Sequence, residues 1–67
     1  MIVKDIKNNT VCLLDKQTGQ VSLKYKGLKT LFIIPVGSTY IIERNSTITN
    51  IYHKTETEYQ IESHLIN

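Results

Sequence analysis

The sequence predicts an all-β fold, a small antiparallel meander of six to seven short strands, and three observations predict it. Turn signals recur about every ten residues between segments whose side chains alternate between apolar and polar. Alanine, the leading helix former, is absent, while Ile and Thr, whose branched side chains suit a pleated surface, are abundant. The separators between segments are short, so neighbouring strands pair antiparallel.

The strands are predicted over residues 2–6, 11–15, 20–26, 29–34, 39–44, 47–53 and 57–62. Asn8-Asn9 separates the first two, and Lys16-Gln17-Thr18-Gly19 forms the next loop. Gly27-Leu28 fits a two-residue type II′ turn, because glycine at its first central position tolerates positive φ. That turn sets Lys26 opposite Lys29, Lys24 opposite Leu31 and Ser22 opposite Ile33 on one face. Tyr25 with Thr30, Leu23 with Phe32 and Val21 with Ile34 form the other, core-facing side. Pro35, which cannot donate a ladder hydrogen bond, and nearby Gly37 mark a corner where the chain changes sheet or bends a barrel. Asn45-Ser46 turns the next hairpin and places Tyr40 across from Ile51 and Ile42 across from Thr49. The last segment reads as a strand with Glu56, Glu58 and Glu62 guarding an edge, with a helical turn over its final residues as the alternative. Such strands and corners close into an SH3-like or similar open barrel, or stack as a two-layer sandwich.

Sixty-seven residues make one domain, 1–67, near the size at which a single core only just offsets the entropy of folding. Cys12 is the only cysteine, so no intrachain disulfide supports it. Cys and His at metal-ligand spacing are also absent, which leaves self-association as the remaining support unless the domain is simply well packed. There is no membrane-length apolar run and no secretion signal, so the expected location is cytoplasmic. Asn8-Asn9-Thr10 and Asn45-Ser46-Thr47 match the N-glycosylation pattern, but hairpin turns account for both.

The formal charge of +2 is small but unevenly distributed. Up to Ile33, six lysines (Lys4, Lys7, Lys16, Lys24, Lys26, Lys29) face Asp5 and Asp15. Beyond it, Arg44 and Lys54 face Glu43, Glu56, Glu58 and Glu62. The candidate binding face is Lys24, Lys26, Lys29, Leu31 and Ile33, since two large apolar groups among lysines need a cover, supplied by a curled sheet or by a second copy.

Catalytic chemistry finds little footing. Cys12, His53 and His64 have no spacing that pairs them, and isolated strand histidines are ordinarily surface residues. Gly19, Gly27 and Gly37 stand in separate turns, so no phosphate-binding glycine loop forms. The expectation is therefore a non-catalytic, cofactor-free binding module of the phage or mobile-element regulator or inhibitor type. It would act on an unspecified protein partner or by homo-oligomerisation, away from membranes. The alternative is a small nucleic-acid-binding barrel using Lys24, Lys26 and Lys29, disfavoured because Tyr25 and Phe32 are expected on the buried face.

Overall fold

Seven strands run antiparallel in chain order: β1 (Ile2–Lys4), β2 (Thr10–Asp15), β3 (Gln20–Tyr25), β4 (Leu28–Ile33), β5 (Thr39–Arg44), β6 (Thr47–His53) and β7 (Tyr59–Leu65). They form a four-stranded sheet, β1-β2-β3-β4, and a three-stranded sheet, β5-β6-β7. The structure is a computed structural model and describes residues 1–66. Among these residues no helix is long and apolar enough to cross a membrane.

The chain changes sheet where Pro35 and Gly37 predict a corner. Ser38 N–H donates to Pro35 O at 3.1 Å, Gly37 N–H to His53 O at 2.6 Å and His53 N–H to Ser38 O at 3.0 Å, which ties the corner to the end of β6. The β5–β6 hairpin has the predicted register, Tyr40 to Ile51 and Ile42 to Thr49. Asn45 and Ser46 both have positive φ, as a type I′ turn requires.

The β3–β4 hairpin departs from expectation. Its turn centres on Lys26 and Gly27, with φ of 50° and 81°, so both central residues are left-handed and the turn is type I′ rather than II′. Tyr25 therefore pairs with Leu28, Lys24 with Lys29, Leu23 with Thr30, Ser22 with Leu31 and Val21 with Phe32. Moving the turn centre by one residue moves each partner by two, which leaves the strand side chains on their predicted faces. Lys26 alone leaves the lysine face, for the turn.

β7 also differs. The Glu-Thr alternation before Tyr59 is a turn, in which Glu58 N–H donates to Thr55 O at 3.2 Å and to Thr55 Oγ1 at 3.1 Å. The strand continues through Ser63, His64 and Leu65, paired with Thr49, Ile48 and Thr47, so no terminal helical turn forms. Of the three predicted edge acids only Glu62 lies on the strand.

Both sheets feed one core. Val3, Val11, Cys12, Leu14, Val21 and Ile34 come from the four-stranded side and Ile42 and Ile51 from the other, with Leu23, Phe32, Tyr40, Tyr59 and Ile61 packed around them. The Phe32 and Tyr40 rings meet at 4.2 Å across the two sheets.

Polar groups join the sheets at both ends. At one end buried Asp5 organises the β1–β2 loop: its Oδ1 accepts from the backbone N–H of Lys7 at 2.9 Å and of Asn9 at 3.0 Å. Thr47 Oγ1 donates its hydrogen to Arg44 O at 2.6 Å and lies 3.4 Å from Asp5 Oδ2, and Lys7 Nζ donates to Asn45 O at 2.8 Å. At the other end His53 joins β6 to Ile34. It is only 6% exposed, against the expectation of a surface histidine. Its Nδ1–H donates to Ile34 O at 2.8 Å, and its ring stacks on Tyr59 at 4.1 Å and 14°. Gly19 completes this junction: Ile34 N–H donates to its carbonyl at 3.0 Å, and a Cβ on it would lie 3.0 Å from Ile34 O. With φ at 77°, the position excludes side chains twice over.

Candidate functional site: the outer face of the four-stranded sheet

Strand alternation and the observed register assemble three rows on the outer face. Ile2, Leu13, Ser22 and Leu31 lie side by side across β1 to β4. The row on one side is Asp15, Gln20 and Ile33, and the row on the other includes the cross-strand pair Lys24 and Lys29. Ile2 is 58% exposed, Leu13 51%, Leu31 53% and Ile33 63%. Among the described residues no strand curls over Leu31 and Ile33; they stand open, joined by two further apolar groups.

Of the candidate residues, the structure brings Lys24, Lys29, Leu31 and Ile33 onto this face and puts Lys26 in the adjoining turn. It adds Ile2 and Leu13, which sequence reasoning passed over. Leu13 sits between Cys12 and Leu14, both buried, so its run reads as core unless the two faces of β2 are separated residue by residue. Ile2 joins the patch only because β1 pairs with β2.

The same topology sorts the charges by end rather than by half of the chain. The loops after β1, β3 and β5 share one end, as the Lys7–Asn45 bond and the 5.0 Å approach of Arg44 Cζ to the Tyr25 ring show. Lys4, Lys7, Lys24, Lys26, Lys29 and Arg44, six of the eight lysines and arginines, gather there with Glu43 and hydrogen-bonded Asp5. The opposite end holds Asp15, Glu56 and Glu58 with Lys16 and Lys54. There the Tyr59 phenol is pushed above its ordinary pKa by burial and then by the Asp15 carboxylate.

The chain's nucleophile and imidazoles remain apart. His53 and His64 occupy opposite ends of the β6–β7 ladder, and Cys12 is in the core. His53 Nδ1 must carry a hydrogen, because a carbonyl only accepts, and Nε2 is buried without a partner. Among the described residues no group of three or more His, Cys, Asp or Glu could hold a metal ion.

Burial pushes the Cys12 thiol up to about 11 from its ordinary 9.0. Thiolate is the reactive form, so alkylation of the folded protein at neutral pH should run about 100-fold slower than that of the urea-unfolded chain. The folded state keeps this proton where the unfolded chain has lost it. Stability should therefore fall as pH rises from about 9 to about 11. Equal alkylation rates in the folded and unfolded protein would contradict this placement of Cys12.

Comparison with known proteins adds no family to this geometry. No family model, curated protein or solved structure matches the chain.

Proposed function

We propose that the protein is a non-catalytic binding module that acts through the outer face of its four-stranded sheet, and that the occupant of this face is a second copy of the chain. The observation that carries the proposal is the contiguous exposure of Ile2, Leu13, Leu31 and Ile33. Large apolar groups in adjacent strands are costly in water at about 25 cal/mol per Å², and a domain with so small a core gains from covering them. We read the two sheets as an open two-layer sandwich, with the outer side of each sheet available for contact. Such a module works by occupying a surface, as a regulator or inhibitor does.

Charge favours a self-complementary arrangement. A two-fold axis running across the strands, through the row of Leu13, Ser22 and Leu31, sets Lys24 of one copy over Gln20 of the other and Lys29 over Ile33, with Asp15 diagonal to Lys24 on the neighbouring strand. A two-fold axis along the strands would instead set lysines against lysines, so the crosswise axis is preferred. On that axis each residue of the central row meets its own counterpart, and small Ser22 leaves room for the flanking leucines.

A cysteine at the centre tests this reading. Ser22→Cys should give a disulfide-linked dimer under mild oxidation, because sheets stacked roughly 10 Å apart bring side chains that face each other on the axis into contact. Gln60→Cys, on the outer side of the other sheet, should not, and Cys12 is buried away from the oxidant. Equal crosslinking of the two variants, or none in either, would overturn the proposal.

A further inference from the structure

Tyr25 is expected from alternation to be buried, yet it is 56% exposed. β3 pairs with β2 only from Gln20 to Ser22 but with β4 as far as Tyr25, so the β3–β4 hairpin projects past its neighbour. Its inner side is uncovered at the tip. Lys26 Nζ lies 5.4 Å from the centre of the Tyr25 ring and Arg44 Cζ 5.0 Å, so an exposed aromatic has two cations close to its ring.

Two open depressions flank this hairpin and share Arg44. One, of about 530 Å³, is lined by Leu23, Tyr25, Leu28, Thr30 and Arg44 among others. The other, of about 480 Å³, is lined by Thr10, Ser22, Lys24, Lys29 and Arg44 among others. Both are mainly apolar; the first also holds the Tyr25 ring with Glu43 and Arg44, and the second Lys24, Lys29 and Arg44 with the hydroxyls of Thr10 and Ser22. Lys24 and Lys29 are also direct cross-strand partners, an arrangement in which like charges destabilise a sheet. A sequence that keeps such a conflict has a use for the charge, and conflicts of this kind concentrate at functional sites.

We propose that this basic end of the dissociated chain binds single-stranded nucleic acid in competition with the proposed self-contact, which covers Lys24 and Lys29, with a base stacked against Tyr25 and the adjoining phosphates held by Lys24, Lys29 and Arg44. Single strands present free base faces beside a regular row of negative charge, which matches the pairing of the two depressions. A duplex hides its base faces in its own stack. An acidic peptide would use the cations and leave Tyr25 and Leu28 unused.

The test is fluorescence anisotropy of a labelled, mixed-sequence DNA strand of about 12 nucleotides across sodium chloride from about 50 to 300 mM. Binding should weaken with salt, with a log–log slope near −2, as about three phosphate contacts on a single strand require. Tyr25→Leu should weaken binding about 10-fold at every salt concentration and leave the slope unchanged. The double variant Lys24→Gln, Lys29→Gln should flatten the slope by about 1.4. At a concentration where both proteins are single chains, its thermal midpoint should equal or exceed the parent's, because the like-charge pair is gone, so loss of fold cannot imitate this result. No binding at the lowest salt would overturn the assignment. So would equal binding of a polyglutamate, or of a duplex whose affinity ignores Tyr25→Leu; these results would make the end an acidic-protein or duplex site.

Discussion

His53→Ala is expected to lower stability by about 3 kcal/mol, which for a domain of this length is comparable to its whole margin over the unfolded state. The imidazole supplies the donor for Ile34 O, and without it that carbonyl loses its 2.8 Å partner at a buried position. Leaving a buried acceptor unmet costs about 1 to 3 kcal/mol. The stacked contact with Tyr59 disappears as well, worth about 0.5 to 1.5 kcal/mol, and a void opens beside Gly19. His53→Phe separates these effects: it keeps the ring against Tyr59 and removes the Nδ1 donor together with the unpartnered Nε2, so its loss should be no more than about half as large. Urea unfolding followed by far-ultraviolet circular dichroism measures both variants. If His53→Ala lies within about 0.5 kcal/mol of the parent, His53 is not the clasp between the sheets.

The second large effect concerns association. Leu13→Lys and Leu31→Lys should each weaken the dimer by 100-fold or more, about 3 kcal/mol. On a crosswise two-fold axis every substitution in the central row occurs twice, face to face, so each places two ammonium groups together where two isobutyl groups had met. Neither change should move the stability of the isolated chain by more than about 0.5 kcal/mol, because both side chains are already half exposed. Gln60→Lys, on the opposite sheet, should leave the mass in solution unchanged. A Leu31→Lys protein that associates as tightly as the parent would place the contact elsewhere.

These expectations rest on features that differ in how far the sequence reveals them. The β5–β6 hairpin is fully legible, since Asn45-Ser46 is flanked by unambiguous alternation and allows one centre for the turn. Around Gly27 two centres satisfy local turn chemistry, and the choice between them depends on whether Leu28 joins the ladder. Face assignment survives that ambiguity because the two registers differ by an even number of residues. The burial of His53 was available in the alternation of Thr47, Thr49, Ile51 and His53, which places the histidine on the side of the most buried residues of β6. A general expectation about lone histidines obscured it.

What requires the folded chain is everything that depends on strand order and strand overlap. Tyr25 alternates like a core residue, and its exposure follows from β2–β3 pairing that ends at Ser22. The joining of Ile2 and Leu13 to Leu31 follows from four strands lying side by side. Charge behaves likewise: a basic first half and an acidic second half are folded back and forth until six cations share one end, whichever half supplies them. Arg44, from the acidic half, is the residue that links the two depressions at that end.

The measurement that bears most directly on the central claim is the mass of the unmodified protein by light scattering across a wide range of concentration. A species of twice the chain mass that dissociates on dilution is expected, and Leu13→Lys and Leu31→Lys should each reduce it to the chain mass throughout. A parent protein that stays at the chain mass at every concentration would contradict it.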